Sequence, residues 1–399
     1  MKKVNFKRSR VLMASVLCLA GLTSATAWAQ DCEVKMGVAG PMSGGSAPWG
    51  LAAKAAADFE AAYVNEQGGL QMGNRKCKVK VYPFDSLYTA AGGAAASNYF
   101  ASEGIHIVAG PIGGPEVTGF RPVAKRHGQV NFSNTYMAGV LSPEFPLGFH
   151  ALQSPISWGP VLVKAAVAKF KFNNVMIVGA NDSGGTDGSK QLAKIYSDQG
   201  VKATEEYYQR GTTNFGPIAQ RIMNAKPAAV ELATMPPADT TQLVKELVEA
   251  GYSGILGGLG GAGAPPFITG AGGVEKIKAL YWLEIVPINE PGVAKFKADY
   301  ERIMKQPAPP EHMLPHVLVG SNGDQQMLRA VSAAGTDQDV EKIAAELRKL
   351  TPESRYFGKG GWRGKTIYGV NQELAFPVGL GIIENGKRAG VQRVEMPAE

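Results

Sequence analysis

The chain has 399 residues, with 41 Lys and Arg against 34 Asp and Glu and three cysteines. That length exceeds one ordinary hydrophobic core and suits two domains. A composition of 45% hydrophobic and 19% charged residues excludes disorder as the dominant state.

The formal charge of +7 points towards nucleic acid only until the charges are located. Lys2, Lys3, Lys7, Arg8 and Arg10 precede an apolar run from Val11 to about Leu22 and the triplet Ala27-Trp28-Ala29. A basic start, a short apolar stretch and an A-x-A site make residues 1–29 a secretory signal peptide, cleaved after Ala29. The run is shorter than the ~20 residues of a spanning helix, and Leu17 before Cys18 lacks the small side chain a lipoprotein site needs. Without the leader, 36 basic side chains face 34 acidic ones. No Lys/Arg cluster remains that is dense enough to track phosphates, so nucleic acid is not an expected partner. The expected product is a soluble exported protein.

Cleavage leaves Cys32 and Cys77. In an oxidising compartment two cysteines usually pair; the alternative is two unpaired thiols packed as small hydrophobes. Cys32 opens the apolar run Val34–Ala39 and Cys77 opens Val79–Tyr82, so adjacent parallel strands would bring both thiols to one end of a sheet, within bridging reach.

From there, short β-branched or apolar runs alternate with amphipathic stretches. Val34–Ala39 is followed by Gly50–Gln67, whose Ala52, Ala55, Ala56, Phe59 and Tyr63 recur at helical spacing. Strand Val79–Phe84, helix Ala90–Ser102, strand Ile105–Ala109, helix Val117–His127 and strand Val130–Ser133 continue the rhythm. After an interruption rich in Pro and Ser at 153–160, it restarts with strand Val175–Gly179, helix Ser189–Gln199, strand Lys202–Tyr207 and helix Phe215–Ala225. Strand Ala229–Ala233, helix Thr240–Ala250 and strand Ile255–Gly257 complete it. Repeated βαβ units predict parallel, doubly wound sheets, two of them. Ala279–Val286 reads as one more strand, followed by helices at 292–305, 317–334 and 340–350 and closing strands from Thr366 through Ile383.

Catalytic signatures are weak. Gly258, Gly260 and Gly263 spell G-x-G-x-x-G after a strand, but Ala264-Pro265-Pro266 follows with no expected helix to receive a pyrophosphate, so a loop is the better reading. There is no Walker A loop, and Gly40-Pro41-Met42-Ser43-Gly44 has the wrong spacing for a nucleophile elbow. His312 and His316, separated by Pro315 in an expected loop, lack a third ligand for a metal. Asp182 and Asp187, in the glycine-rich segment 181–188, offer an acid–base pair or an amine site, or are solvated turn formers. No cofactor is expected. What stands out instead is a set of strand-end loops rich in Gly, Ser, Pro and aromatics at 40–49, 110–115, 133–138, 181–188, 235–238 and 257–266. Doubly wound sheets bind ligands at such ends, and two sheets can share one cleft.

VKMGVAGPMSGGSAPWG at 34–50, the NEQGGL turn at 65–70, IHIVAGPIGG at 105–114, QSPISWGP at 153–160 and the segments 175–188 and 250–260 resemble, in order, periplasmic leucine/isoleucine/valine-binding proteins. The resemblance implies an α/β type I periplasmic binding fold, with two Rossmann-like lobes joined by three crossings. Lobe 1 would hold residues 30–154 and 287–365, and lobe 2 residues 155–286 and 366–399. It also implies a periplasmic receptor that closes on a small solute and delivers it to an ABC importer, a membrane permease with ATPase subunits. A sensory relative that signals to a membrane receptor is an alternative, and an exported enzyme using Asp182 and Asp187 a more distant one. Monomer is the expected state.

The departures from that family pattern bear on the solute. Gly113-Gly114-Pro115 replaces hydroxyl residues that would hold an amino-acid carboxylate, leaving backbone N–H groups. Leu259 stands where an acidic residue would take the ammonium, and an unpaired buried ammonium costs several kcal/mol. Asp182, beside Gly184, or Asp187 could substitute. Trp49, Tyr136, Trp158 and Met235 supply polarisable surface, with core packing the bland alternative for the aromatics, while Ser133, Asn134 and Thr135 supply polar groups. A small carboxylate with an apolar or aromatic body is the expected ligand.

Overall fold

The structure, a computed structural model, describes residue 1 and residues 32–260, 263–396 and 398–399. Apart from Met1, the segment read as a signal peptide lies outside the described residues.

The first half of the chain runs β1 (Glu33–Gly40), α1 (Ala47–Glu66), β2 (Leu70–Met72), β3 (Arg75–Asp85), α2 (Ala90–Ser102) and β4 (Ile107–Ile112). It continues through α3 (Gly114–His127), β5 (Val130–Asn134) and β6 (Gly148–His150). The chain then enters a second unit with α4 (Pro155–Phe170), β7 (Asn174–Ala180), α5 (Ser183–Asp198), β8 (Lys202–Tyr208), α6 (Gly216–Ala225) and β9 (Ala229–Ala233). That unit ends with α7 (Pro237–Glu249), β10 (Ile255–Gly258), α8 (Pro265–Ala271) and β11 (Ala279–Glu284). The remainder is α9 (Pro291–Met304), α10 (Leu314–Ala334), α11 (Val340–Lys349), β12 (Glu353–Ser354), β13 (Gly358–Lys359) and β14 (Gly361–Arg363). A short α12 (Lys365–Tyr368), β15 (Glu373–Ala375), β16 (Val378–Glu384) and β17 (Lys387–Val394) close the chain.

Two large sheets result, ordered β14-β15-β6-β5-β4-β1-β3-β2 and β17-β16-β11-β10-β9-β7-β8. Strands β4, β9 and β11 are buried along their whole length, as expected of parallel strands covered by helices on both faces. In the first sheet β1 lies between β3 and β4, both parallel to it; in the second, β7 lies between β8 and β9. Each is a point where strand order reverses, and the loops after β1 and β4, and after β7 and β9, splay apart there to leave a crevice. The position of each crevice is therefore fixed by topology before any side chain is considered.

Several expected elements are corrected. Segment 181–188 is helical from Ser183: Asp182 is the N-cap, its Oδ1 accepting from the Gly185 N–H at 2.9 Å. Glycine is needed at 185 because a Cβ would lie 2.1 Å from the Ala180 carbonyl oxygen. The Pro- and Ser-rich stretch at 153–160 is the start of α4, where Pro155 occupies a first-turn position that requires no N–H donor. The same logic places Pro265 and Pro266 in the seven-residue α8, where no helix was expected, and Pro315 in the first turn of α10, which carries His316. The third crossing also moves. β14 and β15 belong to the first sheet and β16 to the second, so residues 366–375, expected in lobe 2, complete lobe 1, and the crossing falls at Phe376-Pro377.

Cys32 and Cys77 form a disulfide with a Cα–Cα distance of 4.4 Å, joining the starts of the neighbouring β1 and β3. With the cysteines 45 positions apart in sequence, chain-entropy reasoning assigns the bridge about 4 kcal/mol. The Cys32→Ser/Cys77→Ser variant is expected to unfold at lower temperature, by roughly 5–10 °C in calorimetry.

Candidate functional site

The crevices at the two reversal points face one another across a cavity with about 650 Å³ of space outside atoms, open solvent included. From lobe 1 come Trp49 and Ala53 on α1, Tyr88 after β3, Ile112 and Gly113 at the end of β4, and Asn134, Thr135 and Tyr136 at the end of β5. Lobe 2 contributes Gly184, Thr234 and Gly260, after β7, β9 and β10. Leu152, at a crossing, and His316 and Val319, on α10, complete the wall.

Backbone shape aims several of these groups. Leu87 and Tyr88 have φ of 55° and 57°, a left-handed pair rare outside glycine, and the bend sends the Tyr88 ring over Gly113. There φ is +92° and a Cβ would come within 2.6 Å of the tyrosine ring and hydroxyl, so only glycine fits. Trp49 stands beside it, ring centroids 5.8 Å apart. Thr234, at φ 53°, breaks strand alternation and turns into the cavity.

The N-terminal ends of α3 and α5 reach the cavity through Gly113 and Gly184. Helix N-termini carry partial positive charge and favour an anion. Asn134 Oδ1, Tyr136 Oη and Thr234 Oγ1 are buried and have no hydrogen-bond partner among the described residues. Burial pushes the Tyr88 and Tyr136 hydroxyls above the usual tyrosine range, so both stay protonated. Glu116, in the first turn of α3, is pushed up to about 8 by burial, although Ser86 Oγ and the Ile112 N–H donate to it.

The lobes touch across this cavity. The Ala138 N–H donates to Asp187 Oδ2 at 2.9 Å, and Gln191 Nε2 to the Tyr136 carbonyl at 3.0 Å. Gly114 abuts lobe 2 so closely that a Cβ on it would lie 2.5 Å from Gly184 N.

Of the residues singled out in the sequence, Trp49, Gly113, Asn134, Thr135, Tyr136 and Gly184 line the cavity. The others lie behind it. Trp158 is buried, donates from Nε1 to the Gln153 carbonyl at 3.0 Å and packs edge-on against Tyr136, with centroids 5.9 Å apart. Met235 sits in the lobe 2 core. Leu259 is buried and its N–H donates to Glu231 Oε1 at 2.6 Å. Gly114 and Pro115 form the first turn of α3. Asp182 caps α5 and pairs with Arg210 Nε at 2.5 Å, so Asp182 and Asp187 hold structure separately and do not form an acid–base pair. Sequence reasoning missed Tyr88, Thr234 and Gly260 as wall residues and considered His316 only for a metal. Among the described residues, no cluster of three or more His, Cys, Asp or Glu is placed to hold a metal ion, and no helix is long and apolar enough to cross a membrane.

Two doubly wound lobes, three crossings and a cavity at facing reversal points define a two-lobed solute receptor. The family described as periplasmic binding protein matches residues 33–375, and the chain belongs to it. Its fold is shared with a leucine binding protein from Thermotoga maritima, at TM-score 0.75 and 16% identity, over 91% of this chain and 99% of that one. An R. palustris ABC transporter solute-binding protein in complex with benzoate gives 0.73 and 17%, over 92% and 98%. A second R. palustris solute-binding protein, in complex with 4-hydroxybenzoate, gives 0.71 and 20%, over 92% and 97%. No curated protein compared with the chain matches it.

Proposed function

We propose that this receptor captures a small organic carboxylate with an aromatic or apolar body and delivers it to an ABC import permease and its ATPase subunits. Export through cleavage of residues 1–29 would place a monomeric receptor in the periplasm. The observation that carries the solute class is the wall itself. Trp49, Tyr88, Tyr136, Ile112, Leu152 and Val319 surround an apolar body, while two helix N-termini and three unpartnered polar atoms await an anion and a second polar group. An α-amino acid needs a partner for its ammonium, and the nearby carboxylates are engaged elsewhere: Glu116 with Ser86 and Ile112, Asp182 with Arg210 and Gly185, Glu231 with Tyr196 and Leu259. The bound ligands of the two R. palustris relatives, benzoate and 4-hydroxybenzoate, are of the proposed kind.

Thermal unfolding with benzoate, 4-hydroxybenzoate and leucine tests the reading. A solute at a hundred times its Kd adds about 2.7 kcal/mol, a shift of several degrees. Aromatic acids are expected to stabilise the chain and leucine to leave it unchanged; the reverse pattern would sink the proposal. Thr234→Val, which keeps shape and removes the hydroxyl, is expected to weaken the best acid by about tenfold in calorimetric titration.

A further inference from the structure

A half-buried cation stands beside the cavity. Arg210 follows β8 in lobe 2, and its Nε donates to Asp182 Oδ2 at 2.5 Å. Asp182 in turn caps α5, whose Gly184 lines the cavity. The guanidinium carbon lies 4.5 Å from the ring centroid of Tyr88, a lobe 1 residue that also lines the cavity. Arg210 Nη1 and Nη2 are buried and have no hydrogen-bond partner among the described residues.

We propose that Arg210 is the latch of lobe closure, a lobe 2 cation anchored by Asp182 that grips the aromatic lobe 1 wall of the cavity and so sets the balance between open and closed receptor. The Arg210–Asp182 pair lies within one lobe and is made whether the receptor is open or closed, so it cannot favour either state. What closure adds is the stack of the guanidinium on Tyr88. Closure also strips water from two amino groups without giving them a partner, which keeps the net stabilisation modest. Guanidinium bears this better than an ammonium, being planar and weakly hydrated. A desolvated cation–π interaction of this kind moves an equilibrium about 2- to 30-fold. The hydrogen bonds from Ala138 and Gln191 also span the lobes, but Arg210 bears on an aromatic ring of the cavity wall itself, Tyr88. A solute that orders Tyr88 therefore strengthens the latch, and the latch slows its escape.

The inference rests on the chain being a closing receptor and not on the class of solute, so it is tested with none added. Spin labels are placed on Ala91→Cys in lobe 1 and Lys245→Cys in lobe 2, both exposed, and inter-label distances are read by pulsed electron–electron resonance. The labelled parent chain is expected to show a closed population. Arg210→Ala and Tyr88→Ala should each lower the closed-to-open ratio about 2- to 30-fold, and the double variant should fall no further than the larger single effect. Arg210→Lys, with charge but no planar face, should fall nearly as far as alanine and guards against a folding defect. No closed population in the parent, an unchanged ratio, or effects that multiply in the double variant would overturn the latch.

Discussion

Replacing Gly114 by alanine is expected to weaken solute binding by about a hundredfold or more while leaving the receptor folded. The added Cβ would lie 2.5 Å from Gly184 N, 2.6 Å from Ser183 Oγ and 2.9 Å from Gly184 Cα. Two of those three atoms are backbone and cannot step aside. Gly114 opens α3, where alanine is a better helix former than glycine, so lobe 1 by itself loses nothing. The collision exists only when the lobes are shut. Closure must then stop short, and solute contacts from Gly184, Thr234 and Gly260 are forfeited together. Losing about 3 kcal/mol of them is a hundredfold in Kd. Titration calorimetry with 4-hydroxybenzoate reads the affinity, and small-angle scattering reads the failure to compact. Gly139→Ala is the control, since nothing lies within 4 Å of its Cβ. An unchanged Kd and radius of gyration for Gly114→Ala would mean the lobes do not meet at this point in solution.

The second large effect is on pH. Burial pushes Glu116 up to about 8 and Glu231 and Glu284 up to about 7, and raises Glu60 and, well above its usual range, Asp324. A carboxyl whose pKa is raised on folding stabilises the fold fully below its unfolded value near 4.5, and that contribution is lost as pH climbs through the folded value. Stability should therefore fall between pH 5 and pH 8.5, by on the order of several kcal/mol. Asp85 and Asp299 are held below their usual range by hydrogen bonds and, for Asp299, by Lys295. Their contribution is lost only as pH falls below about 4, so it does not offset the decline. Urea unfolding at pH 5, 7 and 8.5 should show a falling midpoint. Glu116→Gln, which keeps the shape and cannot ionise, should flatten the decline between pH 7 and 8.5. A midpoint that rises over this range contradicts the assignment.

Much of the scaffold was legible because periodicity reports burial. Ala90–Ser102 and Ala229–Ala233 have the same bounds in the structure as in the pattern, one with helical spacing and the other as a run buried on both faces. The elements that escaped carry signals that point two ways. Pro155 and Pro265 break a helix interior but start one equally well, and the glycines of 183–188 look like a loop until their close approach to β7 is seen. β2, β6 and β15 are three residues long, too short for a period to stand out from the flanking sequence. In the site, lobe 2 was read one residue out of step at two places. Met235 and Leu259 were singled out, whereas their neighbours Thr234 and Gly260 line the cavity. A one-residue slip matters because successive residues point to opposite sides, and the left-handed turn at Thr234 that sets the true register has no mark in the sequence. Tyr88 was missed for the same reason.

The displaced third crossing bears on how the chain is made. β15 lies beside β6 in one sheet and β16 beside β11 in the other, so both lobes recruit strands from the last thirty or so residues. No contiguous fragment of the polypeptide contains a whole lobe without also taking in part of the other. A ribosome or translocation pore that has released everything up to residue 370 has released two unfinished sheets with open edges, and premature termination there damages both halves at once.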